Sequence, residues 1–221
     1  VINLVRFSFL AFILFSAPQA WADSNAAREL AERLEAKAMN GDIRATYKLG
    51  LLFSQGKKVQ VDYVTAFEWF LRAAKHDDVK AMMKVSDMYL AGKGIDPSVE
   101  EATKWNEKAA KKGSRKAMVK LGAMAVSQKK YADSAYWYKK AAVMGDVTAM
   151  REIARYYYNG TGVHFNLTLA FAWYELAVKR KDRSARTLQL KMIEEKGQDW
   201  ANEIRSLVEN RMIPKEYWDE R

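Results

Sequence analysis

Residues 149–177, AMREIARYYYNGTGVHFNLTLAFAWYELA, decide the fold. Ala149, Ile153 and Tyr157 stand four residues apart, which on a helix lines them along one face. Gly160-Thr161-Gly162 then ends that helix, because glycine enters the left-handed and turn conformations that close a helix. Beyond the turn, Trp173 and Ala177 are again four residues apart. The stretch reads as two antiparallel helices around a glycine turn, with the small alanines letting helices approach and the tryptophan filling space between them.

The same unit recurs along the chain. Trp69, Trp105, Trp137 and Trp173 are separated by 36, 32 and 36 residues, and Ala73, Ala109, Ala141 and Ala177 each follow four residues later. A second alanine comes next in three copies, at Ala74, Ala110 and Ala142, with Val178 in the fourth. Upstream, Ala45, Ala81 and Ala117 precede Leu49, Val85 and Leu121, then Phe53, Tyr89 and Ala125, in register with the stripe of the fourth copy. Gly56 and Gly92-Lys93-Gly94 supply turns. The third copy has Ser127-Gln128-Lys129-Lys130 instead and is four residues short, so its first helix ends early or its turn is tighter. One helix pair cannot bury its own apolar face; several stacked pairs can, which is the logic of a solenoid.

Three of these patterns carry a family resemblance: Ala-x-x-x-Leu-Gly at Ala45 to Gly50, Gly-x-Gly-Val at Gly160 to Val163, and Trp-Tyr-x-x-Ala at Trp173 to Ala177. Together they resemble Sel-one-like repeats, relatives of the tetratricopeptide repeat. The resemblance implies an all-α fold, a right-handed α-solenoid of antiparallel helix pairs, with four copies over residues 40–182. Residues 23–39, with an amphipathic helix from Asn25 to Met39, read as an N-terminal cap. Residues 183–221 read as C-terminal capping helices: one over Ser184 to Glu195, a break at Gly197, and a closing helix from Gln198 to Asn210 before Pro214.

The first 22 residues differ from the rest. Arg6 is their only charge, Phe7 to Phe15 is apolar apart from Ser8, and Ala20-Trp21-Ala22 precedes Asp23. This is the layout of a secretory signal peptide cleaved before Asp23, since the apolar run is about half of the ~20 residues that span a bilayer. The expected location is the periplasm or the outside of the cell. The chain has no cysteine, which removes disulfides and every cysteine-based metal or nucleophile site.

Few residues offer catalysis. His76 and His164 are the only histidines, and they fall in different repeats. Asp77-Asp78, Glu100-Glu101 and Glu194-Glu195 are adjacent, so on a helix they point about 100° apart rather than sharing a proton. The Gly-x-Gly turns follow helices and lack a phosphate-loop context. No cofactor, metal or catalytic residue is expected.

Charge carries more information. Without residues 1–22 the chain keeps 36 basic against 27 acidic residues. Residues 103–142 alone hold eleven basic side chains (Lys104, Lys108, Lys111, Lys112, Arg115, Lys116, Lys120, Lys129, Lys130, Lys139, Lys140) against Glu107 and Asp133. Lys104, Lys108 and Lys111 share a helical face opposite Trp105 and Ala109. The stretch is either a solvated surface or a docking patch for an acidic partner or an anionic envelope surface. Lys48, Lys84 and Lys120 form a second ladder, each three residues after its motif alanine, with Glu152 in the fourth copy. The resemblance places first helices on the concave, binding side, which makes Tyr47, Lys48, Lys84, Met88, Lys120, Arg155 and Tyr156 contact candidates. Tyr156 stands out because only Tyr157 of the run Tyr156-Tyr157-Tyr158 belongs to the stripe.

The resemblance thus implies a non-catalytic scaffold that binds a protein or peptide. The alternative is an enzyme of the same repeat family, since cysteine-rich secreted relatives are linked to β-lactam binding and hydrolysis. Those brace each repeat with a disulfide, which this chain cannot form. Nucleic-acid binding conflicts with export and lacks interleaved exposed aromatics. N-terminal sequencing of protein recovered from fractionated cells should read Asp23-Ser24-Asn25; a membrane-retained chain still carrying Phe7 to Phe15 would identify an anchor instead.

Overall fold

The computed structural model describes residues 25–56 and 59–210; the expected signal peptide and the segment around Pro214 lie outside them. The described residues form eleven helices and no strand: α1 (Asn25–Met39), α2 (Ile43–Gln55), α3 (Tyr63–Lys75), α4 (Val79–Ala91), α5 (Val99–Lys111), α6 (Arg115–Ser127), α7 (Tyr131–Val143), α8 (Val147–Asn159), α9 (Leu167–Lys179), α10 (Arg183–Lys196) and α11 (Gln198–Glu209). Helices α2 to α9 are the four pairs, and α1, α10 and α11 flank them. The chain divides into two compact units, residues 1–102 and 103–221.

Local sequence starts each first helix in the same way. Asp42, Asp78, Ser114 and Asp146 accept hydrogen bonds from the amides of Ala45, Ala81, Ala117 and Ala149 at 3.0, 2.7, 3.3 and 3.0 Å. The motif alanine is therefore also the third residue of its helix, and the cap three positions earlier occupies one otherwise unbonded amide, worth about 1 kcal/mol. Asp182 caps α10 on Ala185 at 2.9 Å, so the C-terminal flank begins as a fifth first helix does. Asp62 and Asn166 cap α3 and α9 likewise, whereas Lys130 gives α7 no side-chain cap.

The turns explain the glycines. Gly92 and Gly160 close α4 and α8 in the left-handed region, at φ 61° and 65°, with their amides on the carbonyls of Met88 and Tyr156. The second glycine of each Gly-x-Gly answers to the preceding repeat: a Cβ on Gly94 would collide with the Tyr63 carbonyl at the start of α3, and one on Gly162 with the Tyr131 carbonyl at the start of α7. In the third copy α6 keeps the full 13 residues of the other first helices, so it does not end early. The whole deficit falls in the turn, residues 128–130 against 92–98 and 160–166 elsewhere, with Lys129 taking the left-handed position at φ 60°.

Packing within each pair depends on a position beside the apolar stripe. Gly50 of α2 lies under Phe70 of α3, where a Cβ would come within 2.6 Å of the ring; Gly122 of α6 lies under Tyr138 of α7, at 2.9 Å. The fourth copy has Ala154 and Tyr174 at these two positions, both buried. Ser86 takes the glycine position in the second copy and donates its hydroxyl to the Ala102 carbonyl at 3.0 Å. The buried set of each first helix is therefore two adjacent stripes, for example Ala45, Leu49 and Phe53 together with Thr46 and Gly50. In the first unit Tyr47 meets Phe70 and Phe67 meets Tyr89, at ring separations of 5.4 and 5.2 Å.

The C-terminal flank is tied down by a buried carboxylate. Glu175 of α9 accepts from Gln189 of α10 at 2.6 Å and from Arg205 of α11 at 3.2 Å, while Trp200 packs edge-on to Phe171 at 5.0 Å. Gly50→Ala should lower stability by about 1–3 kcal/mol, because the added methyl displaces a close-packed ring. Combined with Phe70→Leu it should cost less than the two changes separately, as read from urea unfolding midpoints. An unchanged midpoint for Gly50→Ala would rule out the close approach.

Candidate functional site

The first-helix candidates separate once burial is known. In the first unit Lys48 and Lys84 are exposed and Tyr47 is half-buried. Burial, followed by the nearby charge of Asp78, raises the pKa of the Tyr47 hydroxyl above the usual tyrosine value, so it is a neutral donor at physiological pH. Met88 is not a contact residue: at 6% exposure it belongs to the core. It lies one residue short of the stripe position Tyr89, on an arc that is buried on more than one side.

In the second unit Tyr156 is also corrected from surface to core, at 3% exposure. Its hydroxyl is 2.8 Å from Ser134 Oγ, and Ser134 donates to the Gly122 carbonyl at 2.8 Å. Since the serine proton goes to the carbonyl, Tyr156 is the donor to Ser134. Tyr138 packs edge-on to Tyr156 at 6.0 Å, and burial is the main cause that raises the pKa of both Tyr138 and Tyr174 to about 12. Tyr158, the third of the run, is half-buried. The sequence signal for this network was Ser134, which stands where Ala66, Ala102 and Ala170 stand in the other copies.

Arg155 is exposed but occupied. It binds Glu152 at 2.7 Å and lies 5.7 Å from the Tyr156 ring centroid. Arg151 approaches Glu152 at 3.8 Å and pairs with Asp182 at 2.6 Å, so the acidic break in the lysine ladder is neutralised within its own helix. Lys120 is half-buried.

The lysines of α5 are the more accessible set. Lys104, Lys108 and Lys111 are all exposed. Lys108 does not point away from Trp105, however: its ammonium sits 4.0 Å from the ring centroid. Spacing of three places the two side chains together on the helix, and the flexible lysine stem folds back over the π face. The arrangement recurs, with Arg72 at 5.6 Å from Trp69 and Lys140 at 5.7 Å from Trp137. Trp69, Trp105 and Trp173 are buried, whereas Trp137 is half-buried and contacts the exposed Tyr136 at 5.1 Å. Lys139, counted in the basic stretch, is buried at 8% exposure.

Among the described residues no three His, Cys, Asp or Glu side chains converge as metal ligands, and no helix is long and apolar enough to cross a membrane. The geometry is that of a repeat protein that presents side chains along helix faces. The chain belongs to the Sel1 repeat family, whose sequence profile matches residues 43–78, 79–114, 116–146 and 147–182. Repeats of this kind generally mediate protein–protein interaction.

Solved structures agree on the fold. The crystal structure of c5321, a protective antigen present in uropathogenic Escherichia coli strains displaying an SLR fold, matches 70% of this chain at 29% identity and a TM-score of 0.65. This chain spans 34% of that protein's length. A Sel1 repeat protein from Oxalobacter formigenes matches 77% of this chain and 73% of its own, at 24% identity and a TM-score of 0.62. Among curated proteins none matches significantly.

Trp105→Ala should lose about 3–5 kcal/mol, since it empties a buried tryptophan site. Lys108→Ala should lose about 0.5–1 kcal/mol, the worth of an exposed cation–π contact. Thermal or urea melts of both variants check this; a Trp105→Ala protein as stable as its parent would mean the ring is not part of the core.

Proposed function

We propose that this chain is an exported, non-catalytic adaptor whose repeats hold an acidic protein or peptide segment in the periplasm or outside the cell. The observation that carries the reading is the exposure of Lys104, Lys108 and Lys111 on α5, within a stretch that holds most of the net charge of +10. Sequence layout supports export: a basic start, a short apolar run and Ala20-Trp21-Ala22. Family membership supports the adaptor role. Exposed like charges steer an oppositely charged partner at long range and govern the rate of encounter more than the lifetime of the complex.

Changing Lys104, Lys108 and Lys111 together to glutamate should leave helix content unchanged and reduce capture of partners from a periplasmic extract, chiefly by slowing association. Capture by the parent should also fall as salt rises, because screening limits the reach of exposed charge to about 8 Å at physiological ionic strength. Lys48→Glu with Lys84→Glu is the comparison. Loss of capture in that variant alone would assign recognition to the first helices and leave the α5 lysines as solvated surface.

A further inference from the structure

The turns that join one repeat to the next all need a residue in the left-handed region. Gly41, Asp77, Gly113, Gly145 and Lys181 fill it, with φ of 87°, 65°, 84°, 90° and 67°. At Gly41 and Gly113 the space where a Cβ would stand is open, with nothing within 4 Å. Gly145 differs. There Arg115 Nη1 and Arg180 Nη2 stand 3.6 and 3.9 Å from the same point, so two guanidinium groups flank one turn.

Repeat packing does not ask for this arrangement. Arg115 follows its helix cap at the position where Ile43, Val79 and Val147 stand in the other copies. Its Nη1 donates to the Met144 carbonyl at 3.1 Å, and Arg180 Nη1 donates to the Leu176 carbonyl at 3.3 Å. Arg180 Nη1 also reaches Met150 Sδ at 3.7 Å, and both arginines are exposed. Neither is ion-paired with a carboxylate among the described residues, whereas the neighbouring Arg151 and Arg155 hold Asp182 and Glu152. Asp146, the acidic side chain next to the turn, is committed to capping Ala149. Two cations this close to one another repel, and an added anion relieves that repulsion.

Arginine's planar fork suits a two-oxygen carboxylate better than lysine's point charge does. Immediately beside the turn, Val143 and Met144 are 54% and 43% exposed, so an apolar surface adjoins the two guanidinium groups. We infer that Arg115 and Arg180 clamp a carboxylate of an acidic peptide over the Gly145 turn, with Val143 and Met144 contacting an apolar residue next to that acid. The inference rests on the adaptor reading and names the chemistry of its partner.

The test titrates the full chain into a fluorescein-labelled Leu-Glu-Leu-Glu-Leu peptide and reads anisotropy. Arg115→Gln and Arg180→Gln should each weaken binding about tenfold, the scale of one charge-assisted hydrogen-bond pair. Arg115→Lys keeps the charge but should still weaken binding a few-fold, because the fork is lost. Replacing Lys104, Lys108 and Lys111 by glutamine should change this affinity by no more than about twofold. Circular dichroism melts show whether each variant is folded; Arg180 is exposed at the end of its helix, so Arg180→Gln decides if Arg115→Gln unfolds. Peptide affinity that survives both arginine changes and falls in the lysine variant would overturn the clamp while leaving the adaptor reading intact. No binding by the parent overturns both. Arginine-dependent binding of orthophosphate or of phosphatidylglycerol vesicles, without peptide binding, overturns the assignment to a peptide.

Discussion

The structure depends on how closely the two helices of each pair can approach. Gly50 and Gly122 remove the side chain that would otherwise hold Phe70 and Tyr138 off, and the ring then lies directly against the backbone of the facing helix. A glycine inside a helix costs roughly 1 kcal/mol relative to alanine. The contact it permits brings aromatic carbon against main chain at packing distance, where dispersion accumulates over many atom pairs. Where the position carries a side chain the pairs differ: Ser86 spends its hydroxyl on the Ala102 carbonyl, and Ala154 is buried in a pair that keeps a tyrosine, Tyr174, at the ring position. Small on one helix and an aromatic ring on the next thus holds in three of the four pairs, the second having Ser86 and Asn106 at these positions.

Much of this was legible in the sequence because repetition supplies its own control. Four phased tryptophans fixed the unit length, and the helix from Asn25 to Met39 and the break at Gly197 followed from caps and glycine chemistry that act locally. What escaped was anything set by a second neighbour. One stripe at spacings of four and eight describes a helix buried on one side, but these first helices are buried over a wider arc, so Met88 and Tyr156 are core. Met82, Met118 and Met150 follow three of the four motif alanines and mark the stripe on one side, whereas Met88 and Tyr156 stand seven residues after Ala81 and Ala149, about 20° from them on a helix, which was the available signal for their burial. The caps three residues before each alanine were equally regular and equally readable. The fold-back of Lys108 onto Trp105 was harder to foresee, because helical position fixes where a lysine starts and its four-carbon stem decides where the charge ends.

Charge is arranged differently on α5 and α8. Helix α5 opens with Glu100 and Glu101 and closes with Lys108 and Lys111, each sign at the end where the helix dipole favours it. On α8 the acidic Glu152 is met by Arg151 and Arg155, so that helix neutralises itself. A formal count along the sequence treats these alike, although Lys139 is buried and Arg155 is occupied while Lys104, Lys108 and Lys111 are exposed. The electrostatic character of the surface therefore rests on fewer groups than the composition suggests.

The buried carboxylate of Glu175 bears on how such a protein can change length over evolutionary time. A duplication of the first or the third unit copies cap, glycine and ring together, and each new pair brings the same close approach with it. An insertion after Asp182 is different, because Gln189 and Arg205 would be carried away from Glu175, leaving the buried carboxylate only Lys179 of its own helix at 4.0 Å. Growth by whole repeats is open upstream of α9 and closed downstream of it, so the fourth copy and the two helices after it are inherited as a single block.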